Sequence, residues 1–217
     1  ELPVTGGLFL RLDGSSVTLD GSGVSAWSNL VSGTGVSKGF VQTDAAKRPT
    51  LITNALNGYA VINFDGSNDY LENVSDSAWD WDWDSDPADA ARWTTFFVFQ
   101  SDVHQPADKR QQLMRSAYAD IREGSTISGH DEVWGSWLYG DSCKVNGRVS
   151  STLGYSEVIT NNAFKAYDWN VLAGRLDSAA TTKLTLSLNG GFVSSANSVT
   201  RQMAGHVRSR IGALGRE

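Results

Sequence analysis

The segment that most constrains the fold covers residues 47–71 and reads KRPTLITNALNGYAVINFDGSNDYL. Apolar residues alternate with their neighbours along residues 60–65, as they do along a strand with two distinct faces. One face would carry Ala60, Ile62 and Phe64, and the other Val61, Asn63 and Asp65. The Asp65-Gly66 pair is typical of a chain reversal, and residues 70–72 lead back out of it. This pattern predicts a β-hairpin in an antiparallel sheet.

Other segments carry the same strand signal. Residues 8–13 and 24–30 predict short strands, and residues 93–100 predict a buried strand because TTFFVF is dense in β-favouring residues. Residues 132–139 and 143–149 predict a hairpin around Gly140-Asp141. Residues 168–177 and 183–189 predict a strand pair that turns at Asn189-Gly190 into another strand. A chain of 217 residues is ordinary for a single all-β sandwich.

Charge and cysteine content exclude several classes. The formal net charge is −6 and no basic stripe is visible, so no nucleic-acid partner is expected. Two local basic groups are interpreted as solvated faces: Lys109, Arg110 and Arg115 form one, and Arg201, Arg208 and Arg210 form the other. The lone Cys143 allows no intrachain disulfide. No run is apolar enough for membrane insertion and no signal peptide is visible, so we interpret the chain as a processed or excised module.

The most unusual chemistry lies in the acidic insertion, DSAWDWDWDSD at residues 76–86. In an extended conformation its indoles and carboxylates would alternate between two sides. The predicted sugar-stacking residues are Trp79, Trp81 and Trp83, and the predicted calcium ligands are Asp80, Asp82 and Asp84. A solvated surface loop whose tryptophans fill a small satellite core explains the same pattern equally well.

Two smaller sites complete the prediction. Asp65 and Asp69 are candidate calcium ligands, although their spacing favours an ordinary turn in which the side chains bond the local backbone. Trp137, Tyr139 and Asp141 combine aromatic and polar groups in a glycine-punctuated segment and form a second candidate sugar site.

Catalytic signatures are incomplete. Three scattered histidines lack zinc-ligand spacing, and no nucleophile elbow is found. The nearest match to a retaining-glucanase acid triplet is YADIRE at residues 118–123, which has Tyr118 where the nucleophile should stand. A non-catalytic role is therefore favoured over an enzymatic one.

Several motifs in residues 7–72 occur in an order that resembles bacterial laminin-G-like domains of the concanavalin A-like lectin/glucanase superfamily. They are GLFLRLD at 7–13, VSAWSNL at 24–30, QTD at 42–44, RPTL at 48–51, NG at 57–58 and FDGSNDY at 64–70. A weaker resemblance covers residues 169–191. The resemblance implies a two-sheet antiparallel β-sandwich of the jelly-roll type, with residues 1–217 forming one domain. Members of that family follow a segment like residues 210–212 with a final strand beside the first, so here that strand is either supplied differently or missing. A missing strand would leave an open sheet edge beside residues 8–13 for a protein partner.

The favoured interpretation is a calcium-assisted, non-catalytic carbohydrate-binding module that recognises a polysaccharide or cell-surface glycan. It would be extracellular or on the cell surface, as part of an adhesin or a polysaccharide-degrading enzyme. The alternative is a structural domain of a phage capsid decoration or tail fibre, in a virion. A polysaccharide lyase or hydrolase of the same fold comes third.

Overall fold

The computed structural model is an antiparallel β-sandwich built from two sheets, as the sequence predicts. It describes residues 10–31, 39–73, 92–101, 110–117, 132–139, 142–150, 154–160, 164–177, 184–196 and 208–212. The strands are β1 Val17–Asp20, β2 Gly23–Trp27, β3 Phe40–Val41, β4 Thr50–Leu56, β5 Tyr59–Asn63, β6 Leu71–Asn73, β7 Arg92–Phe99, β8 Arg110–Ala117, β9 Glu132–Tyr139, β10 Ser142–Ser150, β11 Gly154–Ile159, β12 Asn170–Asp177, β13 Leu184–Leu188, β14 Gly191–Ala196 and β15 Arg208–Ile211. Short 3-10 turns occupy Gly14–Ser16 and Ala45–Lys47.

The larger sheet has the strand order β11-β10-β9-β8-β15-β6-β3-β2-β4-β5, with β1 paired to β2. The smaller sheet has the order β14-β13-β12-β7. Strands β10 and β11 of the larger sheet lie against β13 and β14 of the smaller one. The hydrophobic core fills the space between the sheets, with Leu172, Leu184 and Leu186 from the smaller sheet and Leu71 and Met114 from the larger among its members.

Two predicted pairings are confirmed. Strands β9 and β10 form the predicted hairpin, and β12 pairs with β13 along residues 172–176. Asn189 and Gly190 both adopt positive φ, 53° and 82°, and turn the chain into β14. This conformation matches the right-handed twist of the flanking strands, which is why Asn-Gly is favoured there.

The predicted hairpin between residues 60–64 and 70–72 is wrong. Strand β5 instead pairs with β4 across Asn57-Gly58, whose φ angles are 49° and 85°. Strand β6 pairs with β3 and β15. The reason is that Asn57-Gly58 closes a tight two-residue turn, whereas residues 64–70 form a longer loop whose side chains bond its own backbone.

The predicted strand at residues 8–13 is also wrong over its described part. Residues 10–13 form no ladder, although Leu10 and Leu12 pack against the core. The N–H of Arg11 donates to Oδ1 of Asn29, and the Arg11 carbonyl accepts from the N–H of Leu30. Because residues 10–13 are not a strand, they cannot be the edge strand that was expected to lie unpaired at residues 8–13. Strand β15 lies inside the larger sheet, between β6 and β8.

The predicted strand at residues 93–100 is present as β7, but it is buried on one face only. Phe99 is buried, whereas Phe96 and Val98 are 71% and 56% exposed. The alternation continues on the adjacent β12, where Leu172 is buried and Val171 is exposed. The smaller sheet therefore has an inner face that belongs to the core and an outer face that carries exposed apolar side chains.

Candidate functional site

The loop between β5 and β6, residues 64–70, is the part of the predicted site that the structure describes most completely. Oδ1 of Asp65 accepts hydrogen bonds from the backbone N–H groups of Ser67, Asn68 and Asp69, at 2.8, 3.1 and 3.3 Å. The N–H of Asp65 donates to Oδ2 of Asp69 at 3.0 Å. The two carboxylates thus close the loop from both ends, which is the turn role that the sequence favours.

Close packing fixes this loop against the end of β15. A Cβ on Gly212 would lie 2.4 Å from Cδ1 of Phe64 and 3.0 Å from the carbonyl oxygen of Asp69. Gly212 also has a φ of 110°, in a region that residues with a Cβ rarely adopt. Only glycine therefore lets the loop approach β15 this closely, and the Asp65–Asp69 pair is held on a rigid base.

The two carboxylates differ in their electrostatics. Burial raises the pKa of Asp65, but the backbone hydrogen bonds from Ser67, Asn68 and Asp69 outweigh it, so the pKa lies below its ordinary value. Asp69 is only 6% exposed. Burial, together with the charge of Asp65, raises the pKa of Asp69 despite the hydrogen bond from the Asp65 N–H. The loop therefore combines an exposed carboxylate whose pKa is lowered with a buried one whose pKa is raised.

Two carboxylate oxygens, Oδ2 of the exposed Asp65 and Oδ1 of the buried Asp69, make no hydrogen bond within the described residues. Oxygen donors of this kind suit a hard cation such as calcium, but calcium takes six to eight ligands. Across the described part of the chain, no group of three or more His, Cys, Asp and Glu side chains could hold a metal ion. A cation at this loop would need further oxygen atoms from elsewhere.

The second predicted site lies at the same end of the larger sheet. Tyr139 ends β9 opposite Arg110 of β8 and Ser142 of β10. Ile211, the last residue of β15, pairs with both Met114 of β8 and Leu71 of β6. The end of β9 and the Asp65–Asp69 loop therefore lie at the same end of the larger sheet, and β15 and β8 separate β6 from β9.

The remaining predicted residues lie partly outside the described part of the chain. Trp137 pairs in backbone register with Gln112 and Lys144. Asp141 and the whole acidic insertion, with Trp79, Asp80, Trp81, Asp82, Trp83 and Asp84, lie outside the described residues. Their predicted roles stay predictions.

Behind the loop lies a cluster that the sequence does not reveal. Nε of Arg210 on β15 donates to Oε2 of Glu72 on β6, and the pair is buried. The guanidinium carbon of Arg210 lies 4.2 Å from the centroid of the Tyr70 ring. Glu72 pairs with exposed Val41 in the ladder, so this cluster is on the face turned away from the core. Arg210 was predicted to be solvated, and that prediction is wrong because Glu72 and Tyr70 enclose it.

The cluster of Arg210, Glu72 and Tyr70 has a structural role rather than a ligand-binding one. A guanidinium that stacks on an aromatic ring and bonds a carboxylate satisfies its charge in two ways. Because both charges are buried, loss of either partner would lower stability. Glu72 and Arg210 are 138 positions apart in the sequence, so no local pattern could have identified the pair.

Comparisons with known proteins identify structures with a similar fold, but they assign the chain to no family. No protein-family model matches the chain, and no curated protein matches it in sequence. Among solved structures, the binding domain of botulinum neurotoxin serotype G is similar with a TM-score of 0.50 and 9% identity, over 96% of this chain and 48% of that one. The CBM40 of the Ruminococcus gnavus IT-sialidase, bound to alpha2,3-sialyllactose, gives 0.42 and 9% over 57% and 76%. An endo-beta-1,4-glucuronan lyase from the fungus Trichoderma reesei gives 0.43 and 10% over 94% and 74%. At 9% identity, the likeness to the neurotoxin binding domain concerns the fold alone. No helix in the described residues is long and apolar enough to cross a membrane.

Proposed function

We propose that this chain is a non-catalytic carbohydrate-binding module that acts outside the cell, with calcium as its cofactor. The observation that carries the proposal is the convergence of two predicted sites at one end of the larger sheet. There Oδ2 of the exposed Asp65 makes no hydrogen bond to the described residues, and β9, which carries Trp137 and Tyr139, ends at the same end of the sheet. Asp141, which follows β9 in the sequence, completes the proposed site. Aromatic rings for the apolar faces of sugars and carboxylates for their hydroxyls are the usual components of such sites.

In this proposal each group has a distinct role. Asp65 and Asp69 supply oxygen atoms to calcium, and Trp137 and Tyr139 stack on or border the sugar, with Asp141 at the rim. The acidic insertion contributes Asp80, Asp82 and Asp84 as further cation ligands and Trp79, Trp81 and Trp83 as stacking surfaces. Calcium would neutralise the carboxylates and fix the loops in a geometry that can accept sugar hydroxyls. Affinity for a single sugar would be modest, since an open surface buries little of the ligand.

The first experiment is a thermal melt with millimolar calcium and again after chelation. Calcium that binds the native state raises the melting temperature, because a ligand of the folded state alone stabilises it. Two variant sets locate the ion: Asp65→Asn with Asp69→Asn, and Asp80→Asn with Asp82→Asn and Asp84→Asn. Asp168→Asn is the matched control, because Asp168 is an exposed carboxylate in the loop before β12. A calcium shift that all variants retain would contradict both placements.

Glycan binding needs its own test, since calcium alone does not establish it. A glycan array in calcium should show binding that Asp141→Asn and Tyr139→Phe weaken while the melting temperature stays unchanged. No binding to any glycan, with or without calcium, would overturn the proposal.

A second candidate function is a structural domain of a phage capsid decoration or tail-fibre protein. The observation that favours it is the exposed apolar face of the smaller sheet, where Phe96 and Phe192 are 71% and 69% exposed. Polysaccharide turnover by the chain would instead favour the third candidate, a lyase or hydrolase.

A further inference from the structure

In the described part of the chain, the outer face of the smaller sheet carries exposed aromatic and aliphatic side chains. Phe96, Phe192 and Val98 are 71%, 69% and 56% exposed, and Val171 is 42% exposed. Tyr167, 66% exposed, lies at the end of this face, because its carbonyl oxygen accepts a hydrogen bond from Nε2 of Gln100 at the end of β7. We call these five residues the outer apolar patch.

The patch is large enough to form the centre of a stable interface. Aromatic side chains carry roughly 150–250 Å² each, so these exposed fractions leave about 500 Å² of apolar surface once the two valines are included. A standard interface buries roughly 800 Å² per partner, of which about 56–65% is apolar. The outer apolar patch therefore supplies about the amount of apolar surface that one partner contributes to a stable complex.

The ladder register gives the patch a self-complementary shape. One row across the sheet runs Phe96, Ala173, Ser187, Phe192. Two rings thus stand about 14 Å apart, three strand spacings, with small side chains between them. In a face-to-face pair, a phenyl ring of the second copy would lie over the small Ala173 and Ser187, and the contact would be reciprocal if a two-fold axis relates the copies.

Charge does not oppose this contact. Along β7, β12 and β13 the described outward positions are Thr94, Phe96, Val98, Val171, Ala173, Arg175, Thr185 and Ser187. Arg175 is charged, and so is Asp177 at the next outward position of β12, but the two neutralise each other, since Nη2 of Arg175 lies 2.6 Å from Oδ2 of Asp177. A chain with a net charge of −6 thus has a face on which two copies meet without like-charge repulsion.

We propose that the outer apolar patch is the docking surface for a second copy of this chain, which forms a two-fold symmetric, face-to-face dimer of the smaller sheets. This goes beyond glycan recognition, and it places the predicted sugar sites of the larger sheets on the outside of the dimer. A module with two outward sites binds a multivalent glycan more tightly than a single site does.

The test is sedimentation velocity of the full 217-residue chain over a range of micromolar concentrations. Wild-type protein should sediment as a concentration-dependent monomer–dimer mixture. Phe96→Thr and Phe192→Thr should each weaken the dimer by about 100-fold or more, because each substitution removes two buried rings from a symmetric interface and one ring is worth about tenfold. Ala173→Arg should also abolish the dimer, since it fills the space between the two rings.

Tyr59→Thr is the matched control, because Tyr59 is also 71% exposed but lies on β5 of the larger sheet. Circular dichroism of each variant confirms that the fold is retained. A wild-type chain that remains monomeric throughout would overturn the proposal. So would a dimer that Tyr59→Thr weakens as much as Phe96→Thr does, or one that none of the patch variants affects.

Discussion

The Asp65–Asp69 loop and the outer face of the smaller sheet use their side chains in opposite ways. In the loop, the polar groups are largely consumed by the chain itself, since four backbone-to-carboxylate hydrogen bonds close it. On the sheet face, the apolar groups are left over after the core has formed on the other side. Carboxylates that resemble metal ligands in the sequence, such as Asp65 and Asp69, can thus serve mainly to close a loop. Apolar residues that resemble core in the sequence, such as Phe96 and Val98, can lie on the surface.

The largest effect should separate the two faces of the smaller sheet. Leu186 on β13 is 1% exposed and faces the core. Leu186→Ala should lower the free energy of unfolding by about 2–5 kcal/mol, because it loses buried apolar surface and leaves a cavity. Urea denaturation at low protein concentration measures this. A cost below about 1 kcal/mol would mean that the inner face is not the tightly packed one.

A second prediction tests whether Asp65 is structural. Asp65→Ala removes the acceptor of three backbone N–H groups and should cost about 1–2 kcal/mol at neutral pH. The folded-state pKa of Asp65 lies below its ordinary value, so the ionised form favours folding. Its stabilisation is complete above the ordinary value and is lost as the pH falls through the folded pKa.

The difference in stability between wild type and Asp65→Ala should accordingly shrink in strong acid. Urea midpoints measured from neutral pH down to about pH 3 test this, near the ordinary carboxyl range. Asp65→Asn is the control, since its amide oxygen keeps the acceptor. An unchanged difference across this range would show that the carboxylate charge plays no part in closing the loop.

The local pattern of strand-like segments and turn residues predicts β9, β10, β12 and β13, because β9 pairs with β10 and β12 with β13, the next strand in the sequence. It failed at β5 because the chain has two turn signals, Asn57-Gly58 and Asp65-Gly66, and only the first closes a hairpin. It could not place β6 beside β15, since that pairing joins residues far apart in the chain. The same limit applies to the candidate site: Asp65 and Asp69 were identified from local turn chemistry, whereas the Glu72–Arg210 pair depends on long-range register.

A smaller effect is expected at Asp69, with the opposite pH dependence. Its raised pKa means that ionisation favours the unfolded state, so its contribution to stability falls as the pH rises from the ordinary value through the folded pKa. Asp69→Asn keeps an acceptor for the Asp65 N–H and removes the charge. It should therefore be neutral or stabilising by up to about 1 kcal/mol at neutral pH, and less so in acid.

The effect of Asp69→Asn on stability should depend on calcium. If Asp69 is a ligand, the ion offsets the cost of its charge, and Asp69→Asn becomes less stable than wild type in millimolar calcium. Melting curves of both proteins with and without calcium decide between the two roles. The same order of stability in both conditions would leave Asp69 with a turn role alone.

The smallest effect should come from Phe96, and its size depends on protein concentration. Because the ring is 71% exposed, Phe96→Thr should change the stability of the monomer by less than about 1 kcal/mol, well below the cost of Leu186→Ala. At high concentration, a dimer that uses this ring adds to the stability of wild type but not of the variant. The melting temperature of wild type should therefore rise with concentration, whereas that of Phe96→Thr should not. Parallel behaviour of the two proteins would show that the exposed ring has no partner in a second copy, and the outer face would then be open to a different ligand.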